Sequence, residues 1–320
     1  MKYKQIIKDA WTLTQENKKL IWYFAFLPAL LEALVSLVYM TYQAAAFWTS
    51  PYLRESANNG PHAFEMVAKA VVKIFTNSAG FGVFLVVLVA IILVMYLLLP
   101  VFSQGALIQL ITKLKGNHPV TVMEGIGFGF TRFLQLFEYH MVVKTFSFVG
   151  ILTEASFAFR NLGPDAFAFF VWIFIFFLVV GFILTLFFTY SQFYIVIDRK
   201  GVFQSMLASG GLVVRQWQHT LFMLFLMVLI WVRIIINMLI VLLIPAIIAG
   251  SIALFATFTM AQVGIVVGVL LGSVALFFAS YFLGVFHVFA NTVWTFTFLE
   301  LTTEDQIDLR SLAQGQHHQE

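Results

Sequence analysis

The stretch FGVFLVVLVAIILVMYLLLPVFSQGALIQL, running from Phe81 to Leu110, contains no charged residue. The hydrocarbon core of a bilayer is about 30 Å thick and is crossed by roughly 20 apolar residues in an α-helix. A helix suits that setting because it satisfies its backbone N–H and C=O groups internally, where no water is at hand. The run exceeds this length and decides the class: an all-α integral membrane protein. Five further stretches meet the same requirement, Leu20–Gln43, Phe133–Ala155, Ala166–Tyr194, Thr220–Gly250 and Val263–Leu299. Phe133–Ala155 is the weakest of them, because it carries Glu138, His140, Lys144 and Glu154. The longest runs must tilt, kink near Pro100 and Pro245, or project into water.

Composition agrees with this reading. Of 320 residues, 61% are hydrophobic and 10% are charged, against about 25% charged in an ordinary soluble domain. So few charges cannot cover a soluble globule, and a disordered chain would need the opposite bias. The absence of cysteine excludes disulfides, thiolate metal sites and a cysteine nucleophile.

The sparse charges set the orientation. Lys2, Lys4, Lys8, Lys18, Lys19, Lys113, Lys115, Arg132, Arg199, Lys200, Arg215 and Arg310 fall in segments that share the N-terminal side of six spans. The opposite side holds Arg54, Lys69, Lys73 and Arg160, and Lys144 and Arg233 lie within spans. Basic residues accumulate on the cytoplasmic side, so both termini are expected there. The net charge of +3 and the pI near 9.0 therefore point to topology and anionic lipid rather than nucleic acid. The apolar run after Met1–Lys19 is too long for a signal-peptide core and is expected to be retained. The placement predicted is the bacterial cytoplasmic membrane.

The chain reads as three hairpins, each preceded by an amphipathic segment beginning near Tyr3, Val120 or Val202. In the first, Ile6, Ala10 and Leu13 share one helical face and Lys4, Lys8, Thr12, Gln15 and Lys19 the other. Gly125, Gly127 and Gly129 argue against a helix in the second, and Gly210–Gly211 predicts a break in the third. Segments of this kind suit the membrane interface. Between the first two spans, Phe64, Val67, Val71, Ile74 and Phe75 oppose Glu65, Lys69 and Lys73, predicting an outer-surface amphipathic helix over about 61–76. Residues 1–313 are expected to form one membrane domain, and 314–320 a disordered tail.

An ionisable group at the bilayer centre costs at least about 2.5–3.5 kcal/mol by insertion scales. Glu32, Lys144 and Arg233 lie at similar depth in the first, third and fifth spans, at 1.5 Å per residue. With Asn237, one turn after Arg233, they form the candidate midplane polar site. It reads either as interhelical pairs, such as Glu32–Arg233 or Glu32–Lys144, or as the lining of a cavity. Glu138, His140, His287 and Asn291 are secondary polar positions nearer the cytoplasmic side. Gly264, Gly268 and Gly272, followed by Ser280 and Gly284, mark a slim helix, and the three glycines on one face predict a close helix crossing, within the chain or between subunits. No phosphate loop, zinc-protease motif or nucleophile elbow is found, and no metal or cofactor is expected.

Two stretches carry a family resemblance. One is Ile6-Ile7-Lys8-Asp9-Ala10-Trp11, running through Asn17-Lys18-Lys19 into an apolar stretch ending near Pro28-Ala29-Leu30. The other is Tyr194-Ile195-Val196-Ile197-Asp198-Arg199-Lys200-Gly201-Val202-Phe203, followed by Leu212-Val213-Val214-Arg215. Both resemble the membrane domain of glycerophosphoryl diester phosphodiesterases and similar uncharacterised bacterial six-span proteins. The phosphodiesterase catalytic domain has no counterpart in the sequence, so the resemblance implies three helical hairpins and no enzymatic activity. The function expected is that of a non-enzymatic membrane scaffold or complex subunit. The alternative is a transporter or lipid-handling protein built on the midplane residues. Expected partners are membrane lipids, anionic at the cytoplasmic face, with further proteins or copies of the chain.

Overall fold

The computed structural model describes residues 2–48, 69, 72–73, 75–76, 78–259 and 261–316, and among these no strand occurs. Helix α1 is Tyr3–Glu16, and α2, Lys18–Leu20, passes through a π turn at Ile21–Ala25 into α3, Phe26–Trp48. Then follow α4 (Ala79–Lys115), α5 (Val122–Thr131), α6 (Phe133–Thr145) and α7 (Phe148–Phe187). The chain closes with α8 (Ser191–Val196), α9 (Val202–Arg215), α10 (Trp217–Thr259) and α11 (Ala261–Gln316). Among the described residues, five stretches are long and apolar enough to cross a membrane: Lys18–Trp48, Gly80–Lys115, Phe167–Phe187, Trp217–Ile236 and Val266–Thr303. The chain is a helical, multi-pass membrane protein by that measure.

The expected third span departs from one continuous helix. Helix α6 has 13 residues, about 20 Å at 1.5 Å per residue, and falls short of a bilayer core. The helix stops at Thr145, and α7 restarts at Phe148 after a two-residue gap, where the Ser147 hydroxyl accepts the Gly150 N–H at 3.1 Å. A second interruption divides α7 at Gly163, with φ 83° and ψ 168°, a conformation essentially reserved for glycine. Pro164 then opens the second limb, where a missing N–H costs nothing.

Two expectations based on glycine are corrected. Residues 122–131 do form a helix, started by a capping box between Thr121 and Glu124. A Cβ at Gly125 would collide with Phe24 and Leu110, and one at Gly129 with Phe102. These glycines let α5 lie directly on its neighbours. Helix α9 likewise continues through Gly210–Gly211 without a break.

Packing is concentrated at one end. One buried cluster includes Ile6, Phe24, Leu107, Met223 and Phe289. The second includes Leu136, Tyr190, Phe193, Ile195 and Phe298, and Trp294 touches both. Helices α1, α5, α8 and α9 gather at this packed end. Away from it, Val86, Val89, Phe169, Trp172, Phe176, Val228, Trp231 and Val269 are all exposed. Acyl chains solvate such side chains as well as other side chains do, so no hydrophobic force draws these helix segments together. Of the expected outer helix at 61–76, most positions lie outside the described residues, and 69, 72–73 and 75–76 are helical.

One hydrogen bond shows how the first span enters the core. Pro28 has no N–H to give to the Phe24 carbonyl one turn earlier. The buried Ser103 hydroxyl of α4 donates to that carbonyl instead. Ser103→Ala is expected to lower stability by about 1–3 kcal/mol, the cost of a buried unsatisfied acceptor. Thermal unfolding by circular dichroism in detergent measures it, and an unchanged midpoint would refute the assignment.

Candidate functional site

Glu32 projects from α3 and Arg233 from α10, and both side chains are exposed. Neither makes an ion pair among the described residues, so the expected Glu32–Arg233 pair does not form within the chain. Glu32 instead lies within electrostatic reach of Tyr96 on α4. The side chains of Lys144 and Asn237 lie outside the described residues. Helix α11 packs against both α3 and α10, and the two charges stand on its flanking helices.

The secondary polar residues divide. Glu138 is exposed. His140 Nε2 donates to Gln104 Oε1 at 2.6 Å, and the Gln104 amide donates to Gln192 Oε1. This short polar chain ties α6, α4 and α8 together where each would otherwise leave an amide or imidazole unpaired in apolar surroundings. His287 Nε2 is buried with no hydrogen-bond partner among the described residues. Asn291 turns back on its own helix, donating to the His287 carbonyl at 3.0 Å.

The small-residue crossing sits further along α11 than the glycine spacing suggests. Gly268 and Gly272 are exposed, with no described atom within 4 Å of a Cβ built on either, and the Gly264 side-chain position lies outside the described residues. The close approach is made by Gly284, where a Cβ would stand 3.4 Å from the backbone of Ala25 and Phe26. Ser280, one turn earlier, is fully buried. The π turn at Ile21–Ala25 lies against the same helix.

The chain matches no family model, no curated protein and no solved structure. Its own geometry therefore carries the functional argument.

Two concavities lie at the packed end, and both are assembled from residues distant in sequence. A cleft of about 760 Å³ opens between α1, the end of α4 and the end of the membrane-crossing part of α11. Lys2, Asp9, Glu16, Lys115, His118 and Glu300 line it. Lys115 lies within reach of Glu300 and Asp9, and its ammonium stands 4.6 Å above the Phe296 ring. Three carboxylates and two ammoniums share the lining, and Lys115 is already engaged by Glu300 and Asp9, so the cleft presents mixed charge rather than a single sign. The second, of about 710 Å³, is an apolar groove beside α9, between Phe187–Phe188 and Phe203, Leu207 and Val214. The sequence marked this place as an amphipathic segment, with Phe203, Leu207 and Val214 on its apolar face and a suspected break at Gly210–Gly211, and used Arg215 for topology and in the family resemblance, without placing a groove there. Among the described residues no group of three or more histidine, aspartate or glutamate side chains could hold a metal ion.

Proposed function

We propose that the chain is a non-enzymatic membrane scaffold or complex subunit, with its packed end at the cytoplasmic face and its far helix halves against other proteins. The third crossing is then made by α6 and the first limb of α7 in series, giving six crossings with both termini inside. Non-helical backbone at membrane depth is tolerated where protein covers it, and the Phe146–Ser147 interruption lies against α7 at Gly181. Amphipathic helices α1, α5 and α9 would then lie in the inner leaflet's interface, as the excess of lysine and arginine on that side requires.

The observation that carries the subunit reading is the exposure of Glu32 and Arg233. Each is a charge on the outside of a membrane-crossing helix, with no ion pair among the described residues. Lipid cannot solvate a charge near the midplane cheaply, whereas an opposite charge on a neighbouring protein can. The transport alternative needs these groups around one cavity, and it finds less support: neither Glu32 nor Arg233 lines either concavity described above.

The native sequence has no cysteine, so a single cysteine at exposed Ser36 or Ile236, about one helical turn after Glu32 or Arg233, is free of background and keeps both charges. Cross-linking of either variant in native membranes is expected to give species heavier than one 36.3 kDa chain. The intact protein in mild detergent should give a particle mass to match. A monodisperse monomer that cross-links to nothing overturns the proposal.

A further inference from the structure

We infer that the protein facing Glu32 and Arg233 is a second copy of this chain, so that Glu32 of one copy pairs with Arg233 of another. The inference rests on the subunit reading and names the partner which that reading leaves open.

Charge is the first argument. In the five membrane-crossing stretches, Lys18, Lys19, Lys113, Lys115 and Glu300 are the charges at the packed end. Among the described residues of those stretches Glu32 and Arg233 remain, one of each sign. Both are exposed, and neither has an ion pair among the described residues. Tyr96, within reach of Glu32, is a phenol and brings no cation. A different protein can answer either charge alone, and then nothing requires this chain to carry both. A surface that meets copies of itself must offer acid and base in equal number, because each contact takes one from either side.

Depth is the second. Phe24 of the π turn and Met227 of α10 lie in one buried cluster, and α3 and α10 both run outward from it. Glu32 follows Phe24 by eight residues and Arg233 follows Met227 by six, about 12 Å and about 9 Å along helices that rise 1.5 Å per residue. The two charges therefore stand within one helical turn of the same level. Every copy enters the membrane in the same sense, because the same basic segments hold the same side. Copies related by rotation about the membrane normal keep each residue at its own depth. A level match within one chain thus becomes a meeting between chains.

Position is the third. Helix α11 packs against both α3 and α10, so the two charges sit on different neighbours of one helix and do not pair within the chain. Between chains the pair forms twice about a twofold axis, or once per contact around a ring.

Differently tagged copies expressed in one membrane test this by co-purification. Native copies are expected to recover one another. Glu32→Arg or Arg233→Glu alone should lower self-recovery about thirtyfold or more, since each contact then sets like charges together. The two single variants should recover each other. A chain with both substitutions should recover itself and lose the native chain. Should the reversals fail to fold, chains with Ser36→Cys and with Ile236→Cys keep both charges, and both positions are exposed. These two chains are expected to cross-link with each other in preference to themselves. Heavier species that contain a different protein and no second copy overturn this inference and leave the subunit reading standing, whereas a monodisperse monomer overturns both. Self-recovery unchanged by either folded single reversal also overturns the inference. So does a folded double variant that fails to recover itself, or the absence of a cross-link between the two cysteine chains.

Discussion

Gly181→Leu is expected to leave little or no assembled protein, with any soluble fraction destabilised by more than about 3 kcal/mol. Gly181 is buried in α7, and a Cβ there would stand 2.5 Å from the Phe146 carbonyl oxygen and 3.5 Å from its carbon. Overpacking among side chains costs about 1–3 kcal/mol because a rotamer can turn aside. A carbonyl has no rotamer, so accommodation would need the interruption between α6 and α7 to move as a unit. That interruption is also held by the Ser147 cap, and shifting it exposes further unpaired backbone groups in a setting without water. Gly272→Leu is the matched control, since no described atom lies within 4 Å of its Cβ, and it is expected to behave as the native chain. Fluorescence-detected size exclusion and thermal unfolding compare the two. A Gly181→Leu protein as stable as the control would show that the two segments do not dock as described.

The helices themselves were legible because an apolar run longer than a bilayer is thick has only one way to satisfy its backbone. The run from Phe81 to Leu110 lies wholly within α4. The interruption of Phe133–Ala155 left a weaker trace. Its four ionisable residues lowered its claim to be a span, but only the Ser147 side chain marked where the helix restarts, and serine before an apolar run is common. The glycines misled for a physical reason. Glycine weakens a helix by about 1 kcal/mol wherever it stands, and sequence shows that cost without the compensation. At Gly125 and Gly129 the compensation is contact with Phe24, Leu110 and Phe102, residues up to about a hundred positions away. Along α11 the small residues at 264, 268, 272, 280 and 284 all announce a slim helix. Which of them meets a neighbour depends on where α3 crosses, and in this chain that is at Gly284. The mixed-charge cleft and the apolar groove were invisible for the same reason, since each joins the ends of helices that sequence keeps apart. Glu32 and Arg233 were legible as residues needing an account, but not as residues that fail to meet each other.

Arg233→Leu is expected to leave the isolated chain folded and at least as stable, while weakening its assembly about thirtyfold or more. The two halves of that expectation come from different terms. Within the chain, Arg233 is exposed and has no ion pair among the described residues, so truncation removes no described ionic contact. On insertion scales, exchanging arginine for leucine near a helix centre favours the membrane-inserted chain by about 3–4 kcal/mol. Between chains, removing one member of a desolvated charge pair costs about 2–5 kcal/mol, mostly because the other charge is left buried and alone. The same substitution therefore acts with opposite signs on the monomer and on the complex. Thermal unfolding of the detergent-solubilised monomer reads the first sign, and cross-linking yield in native membranes at a cysteine placed at exposed Ser36, one turn after Glu32, reads the second. A purely packing role within the chain predicts loss of both. A side chain that merely reaches for the membrane surface predicts a gain in stability with assembly unchanged. Only a charge that faces another protein gives a stable chain that no longer assembles.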